Sequence, residues 1–108
     1  MTSYAIGHLL HVEMGSAIVS YLESIDATLA AFDGRFIIHG GQKHMLEGAF
    51  TGDLIVIAYP EVARAQSWYA SSAYQDILPL RTKNADGAVF LIEGVDEDHH
   101  EADILSHD

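Results

Sequence analysis

Four charged side chains in this sequence, two of them scarce cations and two carboxylates in strand-like settings, together suggest chemistry on a small organic acid. Arg35 follows a glycine at the start of a run of strand-forming residues, and Arg81 follows the Pro79-Leu80 pair. A guanidinium can grip a carboxylate through two parallel N–H bonds, so both are candidate ligand-binding groups. Glu47 and Glu93 each precede a glycine in a strand-like stretch, where a carboxylate partly stripped of water becomes a better general base. His8 and His39 add imidazoles, the side chain best suited to moving protons near neutral pH, and with Glu47 and Glu93 they form the candidate catalytic set. His11 and His44 are further imidazoles of the same kind. The structural alternative stays open for each: Arg35 and Arg81 as ion-pair partners of Glu47 or Glu93, and the histidines as hydrogen-bonded or exposed residues.

Trp68, Tyr69 and Tyr74 bring large amphipathic rings into one short segment. At these spacings they cannot share one helical face, so at least one must turn toward a loop, a partner subunit or a pocket mouth. They complete the candidate ligand-binding set with Arg35 and Arg81.

Several chemistries are excluded or unsupported. The chain has no cysteine, which removes disulfides, thiolate metal sites and Cys nucleophiles. No histidine spacing makes a recognisable metal motif, and Gly40-Gly41 lacks the helix-opening residues of a phosphate loop, so neither a metal nor a cofactor is expected. His99, His100, Glu101 and His107 lie in an acidic C-terminal stretch that reads as a solvated tail. With 16 acidic and 5 basic residues the formal charge is −11, which would repel a phosphate backbone and argues against nucleic acid. Six of those acids follow Val95, so residues 1–95 keep ten acids against five bases, a charge of −5. No apolar run reaches the ~18 residues of a membrane span, and Met1 to Leu10 lack a basic start, so a cytoplasmic protein is expected.

The elements that must position these groups follow from periodicity. Tyr4 to Val12 reads as a strand apolar on most of both faces. After Gly15, with Ser16 as N-cap, Ile18, Leu22, Ile25, Leu29 and Phe32 recur at helical period, and Gly34 closes that helix. Arg35 to Gly40 predicts a second strand, broken at Gly40-Gly41 and resumed through Met45 to Glu47. Leu54 to Tyr59 is a third strand, apolar at every position. Pro60 suits the first turn of a second helix, Ser71 or Ser72 can cap a short further turn ending before Pro79, and Ala88 to Val95 is the last strand. The order β-α-β-β-α-β is that of a ferredoxin-like α+β fold, a four-stranded antiparallel sheet with two helices on one face. The third strand offers no polar face to water, so the uncovered side of the sheet predicts a homodimer packed sheet to sheet. One domain over 1–95 and an acidic tail over 96–108 are expected.

Gly34-Arg35-Phe36-Ile37, Gly40-Gly41, Leu46-Glu47-Gly48, Ala65 with Trp68-Tyr69-Ala70-Ser71, Tyr74-Gln75, Leu78-Pro79-Leu80-Arg81 and Glu93-Gly94 in this order resemble the DUF1330 family. The resemblance spans positions 34–94. It implies a dimeric α+β barrel, a group that also holds cofactor-independent monooxygenases, muconolactone isomerase-like enzymes and haem-degrading proteins, while the family's own function is unassigned. Two departures stand out: Glu13-Met14-Gly15-Ser16 replaces the family's Asp-Pro-like helix opening, and Asp33-Gly34 replaces a Gly-Gly pair. The functional expectation is a small cofactor-independent enzyme of isomerase or monooxygenase type acting on an acidic or aromatic ligand. The alternative is a non-catalytic dimeric binding or stress-associated protein.

Overall fold

A computed structural model of the chain describes residues 1–95; the acidic stretch 96–108, expected as a tail, lies outside the described residues. Strand β1 (Ser3–Val12) leads into helix α1 (Ser16–Leu29), extended by a 3-10 turn over Ala30–Phe32. Strands β2 (Arg35–His39) and β3 (Asp53–Tyr59) are joined by a long irregular loop, and helices α2 (Val62–Ala70) and α3 (Ser72–Thr82) precede β4 (Ala85–Glu93). The four strands form one sheet in the order β2-β3-β1-β4, with every neighbouring pair antiparallel. This is the ferredoxin-like α+β arrangement. No helix among the described residues is long and apolar enough to cross a membrane.

Strand alternation sorts the side chains between two faces. Ala5 lies opposite Ile57 and Leu91, and Ser3 opposite Tyr59; this face carries the core, where Ala5, Ile57 and Tyr59 pack against Tyr21, Ile25 and Leu29 of α1, Ala65 and Trp68 of α2, and Tyr74 of α3. The other face carries Tyr4, Ile6 and His8 opposite Ala58, Val56 and Leu54, with Ile92, Phe90 and Ala88 on the far side of β1. Among the described residues no element covers the β4 part of this second face: Phe90 is 47% and Ile92 52% exposed.

Four local features differ from the sequence reading. Ser16 begins α1 rather than capping it, and Gly15 takes the N-cap position with no side-chain bond. The left-handed residue that ends this helical region is Asp33 (φ 58°), one before Gly34, while the Gly34 amide returns to the Leu29 carbonyl at 3.2 Å. No strand resumes at Met45 to Glu47, because residues 41–52 form an exposed loop. Two expected helices become three, since the turn expected to stop before Pro79 is α3, which runs through it to Thr82. Ser71 does cap it, its hydroxyl accepting from the Tyr74 amide at 3.3 Å. A proline inside a helix costs about 3 kcal/mol or more, yet it deprives only one carbonyl of a partner. Packing of Tyr74, Ile77, Leu78 and Leu80 into the core offsets that loss, because helix stability in proteins comes mostly from the buried face.

Gly34 is where β2 enters under the helix layer. A β-carbon there would lie 2.6 Å from Cε1 and 2.9 Å from Cζ of Tyr59, whose ring is 1% exposed and packs 5.6 Å from the Trp68 ring. Gly34→Ala should therefore destabilise the fold by roughly 1–3 kcal/mol, the usual cost of overpacking, measured by denaturant unfolding. A change below a few tenths would show that the Tyr59 ring is loosely held.

Candidate functional site

Between the sheet and the helices lies a partly enclosed cavity of about 450 Å³. Its walls are mostly apolar, with Ile18, Ile25 and Leu22 from α1, Phe36 from β2 and Ile55 and Ile57 from β3. One end is polar. There Tyr21 of α1, Tyr74 and Arg81 of α3, and Trp68 of α2 line the same space. The Tyr21 and Tyr74 hydroxyls are hydrogen-bonded at 2.8 Å, and the Arg81 guanidinium carbon stands 6.0 Å from the centre of the Tyr21 ring. The Trp68 indole N–H is used elsewhere, donating to Thr28 Oγ1 at 2.9 Å, while that hydroxyl donates to the Ile25 carbonyl at 2.7 Å.

The charges at this end are unusual for the chain. Arg81 is partly buried and, among the described residues, no carboxylate lies within ion-pair distance of it. Among the described residues the ion pairs belong to Arg64, with Asp33 at 2.7 Å and Glu61 at 3.8 Å. Burial alone would weaken the basicity of Arg81, but the adjoining Tyr74 and Tyr21 hydroxyls outweigh it and its pKa is raised, so the group stays charged. Burial, then the neighbouring Tyr74, pushes the Tyr21 phenol far above its ordinary range, and Tyr21 is a neutral hydroxyl at any working pH.

The residues singled out in the sequence divide clearly. Arg81, Trp68, Tyr74 and His39 meet on the cavity wall, with His39 on the β2 side and stacked 4.6 Å from Phe36. Tyr69 is the outward ring of the aromatic trio, 37% exposed and not on the wall. Arg35 is exposed at the start of β2, where it borders a shallow depression with Thr2, Asp33 and Pro60. Glu47, in the long loop, and Glu93, at the end of edge strand β4, are both exposed rather than desolvated, and neither pairs with an arginine. His8 is on the sheet face away from the cavity; its Nε2 donates to the Thr51 carbonyl at 2.7 Å and its ring stacks on Phe50 at 4.5 Å. His11 and His44 are exposed. Among the described residues no three His, Asp or Glu side chains gather as a metal site requires.

Tyr21 and Asp53, which the sequence reading did not single out, also line the cavity. Tyr21 falls on the buried stripe of α1, three residues after Ile18 and four before Ile25, so helical spacing could have found it.

The tyrosines give this site a pH signature. The fold raises the pKa values of both Tyr21 and Tyr59, chiefly by burial, so it favours their neutral forms. That contribution is intact below the ordinary phenol value of 10.0 and is lost as the pH climbs above it. The melting temperature should accordingly fall steeply once the pH passes 10, and ultraviolet titration should show Tyr21 and Tyr59 ionising only as the protein unfolds. Full reversible ionisation of all five tyrosines in the folded protein would contradict the burial.

The same fold recurs among solved structures. A protein of unknown function from Rhodopseudomonas palustris superposes with a TM-score of 0.64 at 15% identity, over 88% of this chain and 83% of its own. A dimeric ferredoxin-like protein of unknown function from Jannaschia sp. CCS1 gives 0.62 at 14% identity, over 87% and 100%. SnoaB, a cofactor-independent oxygenase from Streptomyces nogalater, gives 0.52 at 11% identity, over 92% and 96%. At such identities the likeness is one of fold. No curated protein matches the sequence. The model of the DUF1330 family, a domain of unknown function, matches residues 2–95, and the chain belongs to that family.

Proposed function

We propose that the protein is a homodimer in which each subunit holds a small, largely apolar organic acid or aromatic compound in the cavity between sheet and helices. One observation carries this reading: a charged, partly buried Arg81 without a carboxylate partner among the described residues, beside two phenols in the wall of a mostly apolar cavity. A charge removed from water is normally paired, and an anionic ligand supplies the missing partner. The apolar walls account for the rest of the ligand, which needs to bury hydrocarbon to bind.

Dimerisation is supported by the uncovered sheet face. Phe90 and Ile92, both exposed, continue an apolar surface with the half-buried Ile6 that a second copy would cover, and the Jannaschia neighbour is described as dimeric. The cavity lies on the other face, so pairing of two sheets would leave it within each subunit.

A catalytic role for the same site is favoured by His39, which is alone among the four acid–base candidates in lining the cavity. In that role His39 accepts a proton from the ligand while Arg81 holds the ligand's anion. Its mark would be proton exchange at a ligand carbon that His39→Asn abolishes without changing affinity.

The binding reading is tested with benzoate in isothermal titration calorimetry. Arg81→Ala should weaken benzoate about tenfold or more, the loss expected for a charge-assisted hydrogen bond, while native mass spectrometry still shows a dimer. Equal benzoate affinity in the variant would sink the assignment, and dissociation would move Arg81 to the interface. Phe90→Glu should do the reverse, giving a folded monomer at micromolar concentration. A Phe90→Glu dimer would place the interface elsewhere.

A further inference from the structure

The polar end of the cavity is built from hydrogen-bond donors. The two hydroxyls of Tyr21 and Tyr74 share a single bond at 2.8 Å, so one O–H is used within the pair and the second has no protein acceptor among the described residues. Both side chains are buried, Tyr74 to 1% exposure, and a buried O–H requires an acceptor. The guanidinium of Arg81 adds donors and a positive charge on the same wall, and a guanidinium cannot accept a hydrogen bond. The two phenols form a relay: the first donates to the second, which polarises the second and strengthens the bond it gives onward. Such a relay presents one strong O–H beside one cation.

We propose that this end of the cavity is an oxyanion site, formed by Tyr21, Tyr74 and Arg81, that takes a phenol or a stable enol as its phenolate or enolate. The proposal rests on the reading of the cavity as a ligand site and narrows it to a class of ligand. On binding, the ligand's O–H bond breaks, its electron pair stays on oxygen and the proton passes to buffer; nothing is oxidised or reduced. Preorganised donors aimed at a localised oxygen charge in a site shielded from water stabilise it far more than water-exposed donors would. A neutral tyrosine suits this role because it donates at working pH without competing as an anion, and the burial of Tyr21 keeps it neutral. Beyond the polar end, Phe36, Ile25 and Ile57 line space for a flat unsaturated body. Tyr21 and Tyr74 thereby acquire a binding role that packing alone would not give them.

The test uses 4-nitrophenol, whose phenolate is coloured and whose midpoint in water lies near neutrality. With the probe saturated by wild-type protein, an absorbance titration should place its midpoint about one to three pH units below the value in water, the effect of a cation and donors at close range. That corresponds to a roughly tenfold to thousandfold preference for phenolate over phenol. Arg81→Met should lift the midpoint to or above the water value, because apolar walls alone favour the neutral phenol. Tyr21→Phe, which keeps the ring and removes one hydroxyl, should cancel part of the shift while the melting temperature reports that the fold persists.

Binding of the probe with an unshifted or raised midpoint in the wild-type protein would overturn the oxyanion proposal and leave the cavity a general ligand site. Retention of the full shift in both Tyr21→Phe and Tyr74→Phe would overturn the relay. Failure of the probe to bind, alongside normal benzoate binding, would overturn the phenolate class alone; failure of both ligands would overturn the ligand-site reading with it.

Discussion

The helix layer is tied together by two hydrogen bonds between side chains far apart in sequence, both made inside an apolar core. Trp68 of α2 donates to Thr28 of α1, and Tyr74 of α3 meets Tyr21 of α1. A buried N–H or O–H left without a partner costs about 1–3 kcal/mol, so these pairs specify how α2 and α3 sit on α1 as well as adding to the stability of that arrangement. Apolar contacts alone would allow the helices to slide by part of a turn with little loss. The hydroxyl pair cannot slide, and the cavity's polar end takes its place from it. The Trp68 and Tyr74 rings, tilted at 41° with centroids 4.2 Å apart, then fill the space between the two bonds.

The sheet imposes a second constraint through its backbone. A β-carbon at Gly52 would lie 2.2 Å from the Leu9 carbonyl oxygen, and one at Gly87 would lie 2.0 Å from that of His8; both glycines have positive φ. Gly52 immediately precedes β3 and Gly87 is the third residue of β4, both beside Leu9 of β1, and Gly52 lines the cavity with Asp53. The tight approach lets β1 keep both neighbours in register up to Leu9 before the ladder with β4 shifts toward His11. Only a residue without a side chain permits it.

Much of this fold could be read from the sequence because each strand and the first helix carry their own period. Leu54 to Tyr59, apolar at every position, signals a strand needing cover on both faces, and β3 lies in the interior of the sheet. What could not be read is what depends on two elements at once. Tyr21 and Tyr74 are 53 residues apart, and nothing local at either position announces the other. Tyr21 is hidden in the sequence because an apolar stripe on α1 also runs through Leu22, whereas the buried stripe runs through Ile18, Tyr21, Ile25 and Thr28, with Leu22 more exposed. Glu47 and Glu93 misled for a related reason. A glutamate before a glycine in a strand-like run looks sheltered, but the second strand ends at His39 and β4 is an edge strand, so water reaches both carboxylates. Pro79 misled by obeying a local rule that packing overrode.

The chain's net charge of −11 says little about the ligand that the cavity would hold. Exposed carboxylates act through water and salt, and beyond about 10 Å their influence is largely screened. Arg81 acts where the dielectric is lower and where the nearest polar groups are neutral phenols rather than acids. At the cavity's polar end the one nearby cation therefore outweighs many distant anions, and an acidic protein can still present an anion-binding interior.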